Sequence, residues 1–240
     1  MQYTLIIPAW NEAAYLRATL NDAQAAMQAC SYQGKLVVVD NNSTDDTADI
    51  ARQAGATVVF EAINQIARAR NAGAEIADTE ALVFLDADTT LTAELLQTGL
   101  DAIASNQIVG GGVIVELDQP PSRAARFFLN LWNGLAKRFD LAAGSFIYCR
   151  RDAFEAVGGF SLKVYAGEEI ILTRRLKRWG RKHGYKFKII TDQSIRTSAR
   201  KLQWYSNTQL MLQFFMVIVP GALYSKRLCR TWYDKGTVRD

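Results

Sequence analysis

The sequence predicts an α/β domain in which a mostly parallel sheet is sandwiched by helices. Short apolar runs alternate with segments of helical periodicity through the first half of the chain. Nearly continuous apolar strands are typical of parallel sheets, because helices cover both faces of such sheets. Polar clusters follow three of the strands, which is where open α/β sheets usually bind their ligands.

Four strands and the helices between them are predicted in the first half. The strands are Thr4–Pro8, Lys35–Val39, Thr57–Phe60 and Leu82–Leu85. The first helix carries an apolar stripe with spacings of three and four, formed by Leu16, Leu20, Ala23, Met27 and Cys30. A second helix is predicted to begin at Ser43, which forms a capping-box pattern with Asp46. A later helix is predicted to begin near Thr92.

The second half begins with a Gly-rich strand from Ile108, GGGVIVEL, followed by a mixture of aromatic and basic residues, PPSRAARFFLNLWNGLAKRFD. Gly110–Gly112 open no helix, so we interpret them as a close-packed strand or bulge and not as a dinucleotide-binding loop. Gly158 and Gly159 are predicted to end a helix in a tight turn. No repeat or linker marks an independent second domain.

The net charge of +4 over 240 residues is divided unevenly. Residues 1–120 contain 5 Lys/Arg and 16 Asp/Glu, and residues 121–240 contain 23 and 8, so the halves carry −11 and +15. The basic half suggests either a solvated face or an anionic partner such as nucleic acid, a membrane surface or a phosphorylated substrate. Three distant cysteines fit a reducing compartment, and no signal peptide is predicted, so the expected location is cytoplasmic.

Two carboxylates, Asp86 and Asp88, follow the fourth strand in ALVFLDADTTLT. In an extended segment they share a face and repel one another unless a cation lies beside them. Mg²⁺ and Mn²⁺ prefer such oxygen ligands. The alternative is structural, with Asp86 ending the strand and Asp88 shaping the turn before the next helix. The pair by itself favours neither interpretation.

Six segments in order resemble the family-2 glycosyltransferases, which are inverting nucleotide-sugar enzymes of the GT-A fold. They are LIIPAWNE, VVVDNNSTDDTADIA, ARARNAGAEIA, VFLDADTTLT, GSFIYCRRDAFEAVGGF and GEEIILTRRLKRWG, and they span roughly residues 3–190. The resemblance identifies DAD with the Asp-x-Asp motif of that family. It therefore implies that a divalent cation, Mn²⁺ or Mg²⁺, lies between these carboxylates and the diphosphate of a sugar donor.

The resemblance also implies roles for individual donor-site residues. It assigns the nucleoside pocket to Pro8, Ala9, Asn11 and Glu12. Asp40 is expected to accept a hydrogen bond from the base, a role that can coexist with making a turn. Arg70, in ARARNAG, is expected at the donor site, where a solvent-facing helix charge is the alternative. Asp86 is expected near the ribose and the metal, and Asp88 as the principal metal ligand.

The catalytic base is expected at Glu169, with Glu168 as a supporting or acceptor-binding group. The family usually has Glu-Asp at this position, whereas this chain has Glu-Glu, so the Glu169 carboxylate is one methylene further from the backbone. A base is needed to take the proton from the attacking acceptor hydroxyl. The alternative is that both acids only complement the positive end of a helix dipole.

Three other features have alternatives that the sequence leaves open. Arg200 and Lys201 could bind phosphate or form an ordinary basic loop. His183, between Lys182 and Gly184, is expected in a basic surface loop and not as a third metal ligand. The apolar part of residues 207–230, from Leu210 to Leu223, is too short for a bilayer span of about 20 residues. It is expected either to contact an anionic membrane surface or to pack as core or interface.

The predicted division is a catalytic domain over 1–195, with a nucleotide-sugar half (1–105) and an acceptor half (106–195), and a basic and apolar extension over 196–240. The expected partners are a nucleoside-diphosphate sugar and a glycan or lipid-linked acceptor. A UDP-sugar is expected first, because UDP is the most frequent nucleotide in the family that the chain resembles. A sugar-nucleotide nucleotidyltransferase is an alternative. It is disfavoured because this chain lacks the Gly-rich phosphate loop of that class after the first strand. A non-catalytic sugar-nucleotide-binding protein is a further alternative, and nucleic acid is not expected as a partner.

Overall fold

The structure, a computed structural model, describes residues 1–119, 123–199 and Cys229. The strands are β1 (Gln2–Ala9), β2 (Gln33–Asp40), β3 (Thr57–Phe60), β4 (Ala81–Leu85), β5 (Thr89–Thr90), β6 (Ile108–Leu117), β7 (Phe146–Arg150) and β8 (Lys186–Thr197). The helices are α1 (Ala13–Ala29), α2 (Thr47–Gln53), α3 (Ile66–Glu75), α4 (Ala93–Ala104), α5 (Arg123–Phe139), α6 (Arg151–Ala156) and α7 (Glu168–His183). The four strands predicted in the first half are all present.

One sheet contains all eight of these strands, in the order β3-β2-β1-β4-β7-β6-β8-β5. The first four are parallel, as predicted, so their carboxyl ends share one edge. β7 runs antiparallel to both β4 and β6. The α/β prediction is confirmed, but the sheet is mixed, with its antiparallel pairs all beyond β4. Strand direction depends on how the chain returns to the sheet, and a buried apolar run such as FIYCR does not encode it.

Helices pack on both faces of the sheet and form two apolar clusters. Alternate residues of β1 divide between them, because successive side chains of a strand point to opposite faces. Leu5 and Ile7 belong to one cluster with the stripe of α1, whereas Ile6 belongs to the other with Phe84 and Phe160. In the predicted stripe, Leu16, Leu20 and Ala23 are buried, and Met27 and Cys30 are partly buried against the same cluster.

Two local predictions about helices are corrected by the structure. α2 begins at Thr47, not Ser43, and its N-cap Asp46 makes no side-chain cap bond. The Ser43 hydroxyl instead accepts a hydrogen bond from the Asn11 N–H at 3.0 Å, so a contact between loops replaces the capping box. His183 is the last residue of α7 and not part of a loop. Its ring stacks on Trp179, with 4.0 Å between centroids.

The remaining local predictions are confirmed. Thr92 caps α4, since its side chain accepts from the Leu95 N–H at 3.2 Å. Gly158 and Gly159 follow α6 with φ of 76° and 60°, a left-handed conformation that glycine adopts without penalty. A Cβ at Gly111 would overlap the Lys188 carbonyl oxygen, which explains the glycine in this close-packed strand.

Two features of the fold bear on the predicted domain boundaries. β6 and β7 join β4 in one sheet, so the predicted halves 1–105 and 106–195 share that sheet. β8 continues to Thr197, past the predicted boundary at 195. Within the described residues, no helix is both long enough and apolar enough to cross a membrane. The 207–230 segment lies outside the described residues except for Cys229, so its expected membrane contact stays a prediction, as does the cytoplasmic location.

Candidate active site

The loops after β1 and β2 are tied together at the carboxyl edge of the sheet. Asn11 has φ of 53°, and its side-chain oxygen accepts from the Thr44 N–H at 2.7 Å. The Glu12 N–H donates to the Thr47 hydroxyl at 2.8 Å. Strand register places Ala9 opposite Asp40. Residues predicted to line the nucleoside pocket therefore lie next to the predicted base-reading carboxylate.

Asp40 is buried at the end of β2, with only 7% of its surface exposed. One of its carboxylate oxygens accepts from the Ser43 N–H at 2.9 Å, so the turn-making role holds. Pro8 and Ala9 are buried in β1, where the Ala9 carbonyl accepts from the Asn41 N–H at 2.8 Å. These two residues are therefore part of the sheet, and of the predicted nucleoside-site residues only Asn11 and Glu12 lie in the loop beyond β1.

Asp86 and Asp88 lie in a turn between β4 and β5 and not in an extended strand. Strand alternation therefore does not set the directions of their side chains, contrary to the prediction. The Asp86 N–H donates to the Ser145 carbonyl at 3.3 Å. The Asp88 carboxylate accepts from the Thr197 hydroxyl at 3.3 Å, and its carbonyl accepts from the Ser198 N–H at 3.1 Å. The end of β8 thus positions Asp88.

Arg70 of α3 connects the Asp86 turn with the start of α7. Its side chain is almost fully buried, with 1% of the residue exposed. Nη1 donates to Glu168 at 2.7 Å, and Nη2 donates to Asp86 at 2.9 Å and to the Gly144 carbonyl at 3.2 Å. A Cβ at Gly144 would lie 2.8 Å from Nη2, so a larger residue there would displace the end of the Arg70 side chain. The predicted solvent-facing alternative for Arg70 is therefore wrong.

The charge of Arg70 is maintained by its neighbours. Burial alone lowers the pKa of the guanidinium, but the charges of Asp86, Glu168 and Glu169 outweigh this and raise it. The ring of Phe160 lies 5.2 Å from the guanidinium carbon, which adds a cation–π contact. Arg70 is thus a permanent cation shared by at least two carboxylates.

Glu168 and Glu169 are the first two residues of α7, preceded by Gly167 with φ of 69°. Negative charge is favoured at this end by the helix dipole, so the structural role holds for both acids. Glu168 is buried and accepts a hydrogen bond from Arg70. Glu169 is only partly buried. Of the two acids, Glu169 is the better placed to reach a substrate.

Glu169 holds its proton more tightly than an ordinary carboxylic acid. Desolvation by burial, and then repulsion from Glu168, raises the pKa of Glu169 to about 8, against the opposing attraction of Arg70. A group that accepts a proton at neutral pH works best with a pKa near the working pH. The raised pKa of Glu169 therefore suits a general base.

This shift predicts a pH-dependent stability for the metal-free protein. Between the ordinary pKa of 4.5 and about 8, the unfolded chain releases the Glu169 proton while the folded protein keeps it. The free energy of unfolding therefore decreases as pH rises through this window. We expect Glu169→Gln to show a smaller decrease in urea denaturation measured from acid to neutral pH.

The matched control is Glu75→Gln, which makes the same chemical change at an exposed position near the end of α3. It is expected to leave the pH dependence of wild type unchanged. Equal slopes for Glu169→Gln and wild type would mean that Glu169 ionises in the folded protein as it does in the unfolded chain.

The DAD turn offers a donor set that fits a hard divalent cation. Mg²⁺ is commonly held by one or two carboxylates together with substrate phosphates, so a third protein ligand is not required. No cluster of three or more His, Cys, Asp or Glu side chains suited to a metal occurs in the described part of the chain. Asp86 binds Arg70 and Asp88 accepts from the Thr197 hydroxyl, so the protein holds both carboxylates of the turn in place.

The structure brings together most of the predicted site residues and adds two that sequence reasoning missed. Arg200 and Lys201 lie outside the described residues. Gly144 and Ser145 lie in the motif GSFIYCR without a predicted role, yet their carbonyl groups accept from Arg70 and from the Asp86 N–H. Backbone acceptors carry no side-chain signal, so only the glycine in GSF could have indicated a close approach.

The fold defines an α/β protein in which polar loops, an acidic turn and a buried arginine lie at the carboxyl ends of the parallel strands. A family model described as Glycosyl transferase family 2 matches residues 4–158. The chain therefore belongs to glycosyl transferase family 2, as the motifs predicted.

Two curated relatives illustrate the similarity. The chain is 30% identical over 184 residues to the glycosyltransferase AglE from Haloferax volcanii, an alignment that covers 72% of this chain and 60% of AglE. It is 29% identical over 104 residues to protein RfbJ from Shigella flexneri, covering 43% of this chain and 78% of RfbJ. The chain thus spans less than two thirds of AglE.

Two solved structures share the fold. The mannosyltransferase PcManGT from Pyrobaculum calidifontis matches 99% of this chain and 65% of its own length, with a TM-score of 0.69 and 20% identity. Glucosyl-3-phosphoglycerate synthase from Mycobacterium tuberculosis matches 95% of this chain and 80% of its own length, with a TM-score of 0.65 and 17% identity. These matches confirm the predicted GT-A fold.

Proposed function

We propose that the chain transfers a sugar from a nucleoside-diphosphate sugar to an acceptor, with inversion at the anomeric carbon. The observation that carries the proposal is the buried bridge from Asp86 through Arg70 to Glu168. This bridge holds the turn after β4 against the start of α7. A donor bound over the strand ends would thus have its anomeric carbon near Glu169.

The donor would be held by residues of the first half. Asn11, Glu12 and the second carboxylate oxygen of Asp40 would contact the nucleoside at the ends of β1 and β2. Asp88, with Asp86 beside it, would hold Mn²⁺ or Mg²⁺, and when bound the cation would neutralise charge on the diphosphate and the leaving group. Arg70 would keep the Asp86 carboxylate oriented beside the bound cation.

The acceptor side would be served by α7. Inversion requires a base on the face of the sugar opposite the leaving diphosphate, and that base would take the proton from the attacking acceptor hydroxyl. The ionised carboxylate of Glu169 would do this. Glu168 would hold the first turn of α7 in place through its bond to Arg70.

Solved relatives of this fold support a nucleotide and metal partnership. PcManGT was solved with GDP-Man and Mn²⁺, and glucosyl-3-phosphoglycerate synthase with UDP, Mn²⁺ and glucosyl-3-phosphoglycerate. The nucleotides in these two complexes differ in the base. For this chain we propose UDP first and GDP as the closest alternative. The acceptor would be a glycan or a lipid-linked hydroxyl or phosphate.

The test is a thermal-shift panel of UDP, GDP, CDP and dTDP with and without Mn²⁺, since a ligand that binds only the folded protein raises its Tm. We expect one nucleotide to stabilise the wild type more strongly with Mn²⁺. Asp88→Ala is expected to lose this metal-dependent part because it removes the principal ligand, and Asp86→Ala to weaken it.

Asp192→Ala is the matched control, since it removes an exposed carboxylate from β8. A normal Mn²⁺-dependent shift in Asp88→Ala would refute the metal role. Product analysis with the matching nucleotide sugar then separates the classes of function. Nucleoside diphosphate release indicates a transferase and pyrophosphate release a nucleotidyltransferase, whereas binding with no turnover indicates a sugar-nucleotide-binding protein.

A further inference from the structure

The outer face of α5 exposes large apolar side chains that the proposed chemistry does not use. Phe127 is 64% exposed, Leu131 38% and Phe139 52%. We call these three residues the apolar face of α5. They lie on the surface of a chain whose other large apolar residues are mostly in the core. Contiguous exposed apolar surface commonly marks an interaction site.

The opposite face of α5 holds the helix against the sheet. Ala125 and Ala136 are buried, and Leu129 packs against the main apolar cluster. The Asn133 side chain accepts from the Val115 N–H at 3.2 Å and donates to the Val115 carbonyl at 2.9 Å. The direction of the apolar face is therefore set by contacts with β6.

The charged side chains of α5 itself are all cations. Arg126, Lys137 and Arg138 of α5 are exposed, and the helix sequence RAARFFLNLWNGLAKRF contains no Asp or Glu. The first acid after the helix, Asp140, is paired with Lys177 at 3.3 Å. Exposed aromatics beside cations without acids are typical of helices that lie in the interface of an anionic bilayer.

We propose that α5 rests on an anionic lipid bilayer. Phe127, Leu131 and Phe139 enter the boundary between headgroups and acyl chains, while Lys137 and Arg138 contact anionic headgroups. The charge of the helix selects this occupant over a second copy of the chain, because two copies of α5 brought face to face would oppose cation to cation.

The segment after α5 connects the proposed membrane contact with the candidate active site. The residues that follow α5 run directly into the site: the Ala142 N–H donates to Thr173 of α7, and the Gly144 carbonyl accepts from Arg70. A bilayer under α5 therefore lies close to the base at the start of α7. This part of the inference rests on the proposed transferase function. The membrane contact favours an acceptor hydroxyl or phosphate carried by a lipid at the membrane surface.

The test is flotation of the full chain with vesicles of phosphatidylglycerol and phosphatidylcholine, without nucleotide. We expect wild type to float, and Phe127→Ser/Leu131→Ser to bind at least about tenfold more weakly because it removes inserted apolar surface. Phe60→Ser/Ile76→Ser is the matched control, since Phe60 is 62% and Ile76 48% exposed elsewhere on the molecule. The control is expected to float like wild type.

A second pair of variants tests the charge. Lys137→Gln/Arg138→Gln is expected to weaken binding by about 30-fold, since each cation near an anionic surface contributes about fivefold in affinity. The control is Lys35→Gln/Arg52→Gln, which makes the same change in net charge in the acidic half. Pure phosphatidylcholine vesicles and high salt are expected to weaken wild-type binding in the same way.

Several outcomes would overturn the proposal. If the wild type does not bind anionic vesicles at low salt, the proposed contact is excluded. Equal flotation of wild type and Phe127→Ser/Leu131→Ser would place it elsewhere in the chain. A dimer that Phe127→Ser/Leu131→Ser dissociates would assign the face to self-association. The assay needs no donor or metal, so its failure is distinct from failure of the nucleotide panel that tests the proposed function.

Discussion

Glu169→Gln is expected to bind the sugar donor normally and to lose about 10²–10⁴-fold in transfer rate, the usual contribution of a general base. The amide preserves the shape of the side chain at the start of α7 but cannot accept the acceptor proton. Donor affinity is expected to survive because the proposed donor contacts come from the ends of β1, β2 and β4. The measurement pairs nucleotide affinity with the rate of nucleoside diphosphate release.

The pH dependence of the rate gives this prediction a second readout. Wild-type turnover is expected to rise with pH as Glu169 loses its proton, because only the ionised carboxylate can act as a base. The residual rate of Glu169→Gln is expected to lose this rise. A purely structural role for Glu169 would lower the rate without changing the profile.

Two neighbouring variants serve as controls for Glu169. Glu169→Asp keeps a carboxylate and restores the acid that the family usually has at this position, so it is expected to retain much of the activity. Glu168→Gln removes the charge that pairs with Arg70 at 2.7 Å, and it is expected to lower stability. Turnover of Glu169→Gln close to that of wild type would move the base to another residue.

Arg70→Met is expected to have the largest effect on stability, lowering the free energy of unfolding by about 3–5 kcal/mol. The substitution removes a buried cation and leaves Asp86 and Glu168 in place without their partner. Buried uncompensated carboxylates are costly, since the protein interior screens charge poorly. Urea denaturation at neutral pH measures the loss.

Arg52→Met is the matched control for burial. Arg52 pairs with Asp49 at 2.6 Å, as short as the Arg70 bridges, but both side chains are more than 60% exposed. An exposed pair of this kind contributes about 0–1 kcal/mol. If Arg70→Met does not fold, Arg70→Lys keeps the charge with a less suitable geometry and is expected to lose an intermediate amount. Equal losses in Arg52→Met and Arg70→Met would contradict the special role of the buried bridge.

Local patterns in the sequence determined the elements and the edge on which the site lies. The early strands are apolar runs because helices cover both faces of the sheet, and the α1 stripe has helical spacing because one side of that helix packs on the sheet. Thr92 as a helix cap and the glycines after α6 also follow from short-range backbone chemistry. The ordered motifs, read as a resemblance, also identified the family.

Contacts between distant residues were decided only by the tertiary structure. Ser43 looked like a helix cap but serves Asn11 of another loop. Arg70 lies 16 residues from Asp86 and 98 residues from Glu168, yet its burial between them joins the two halves of the site. The direction of β7 and the raised pKa of Glu169 likewise depend on which groups the fold brings together. Periodicity reports only which face of an element is buried, whereas pairing, desolvation and charge coupling depend on the partners that the folded chain supplies.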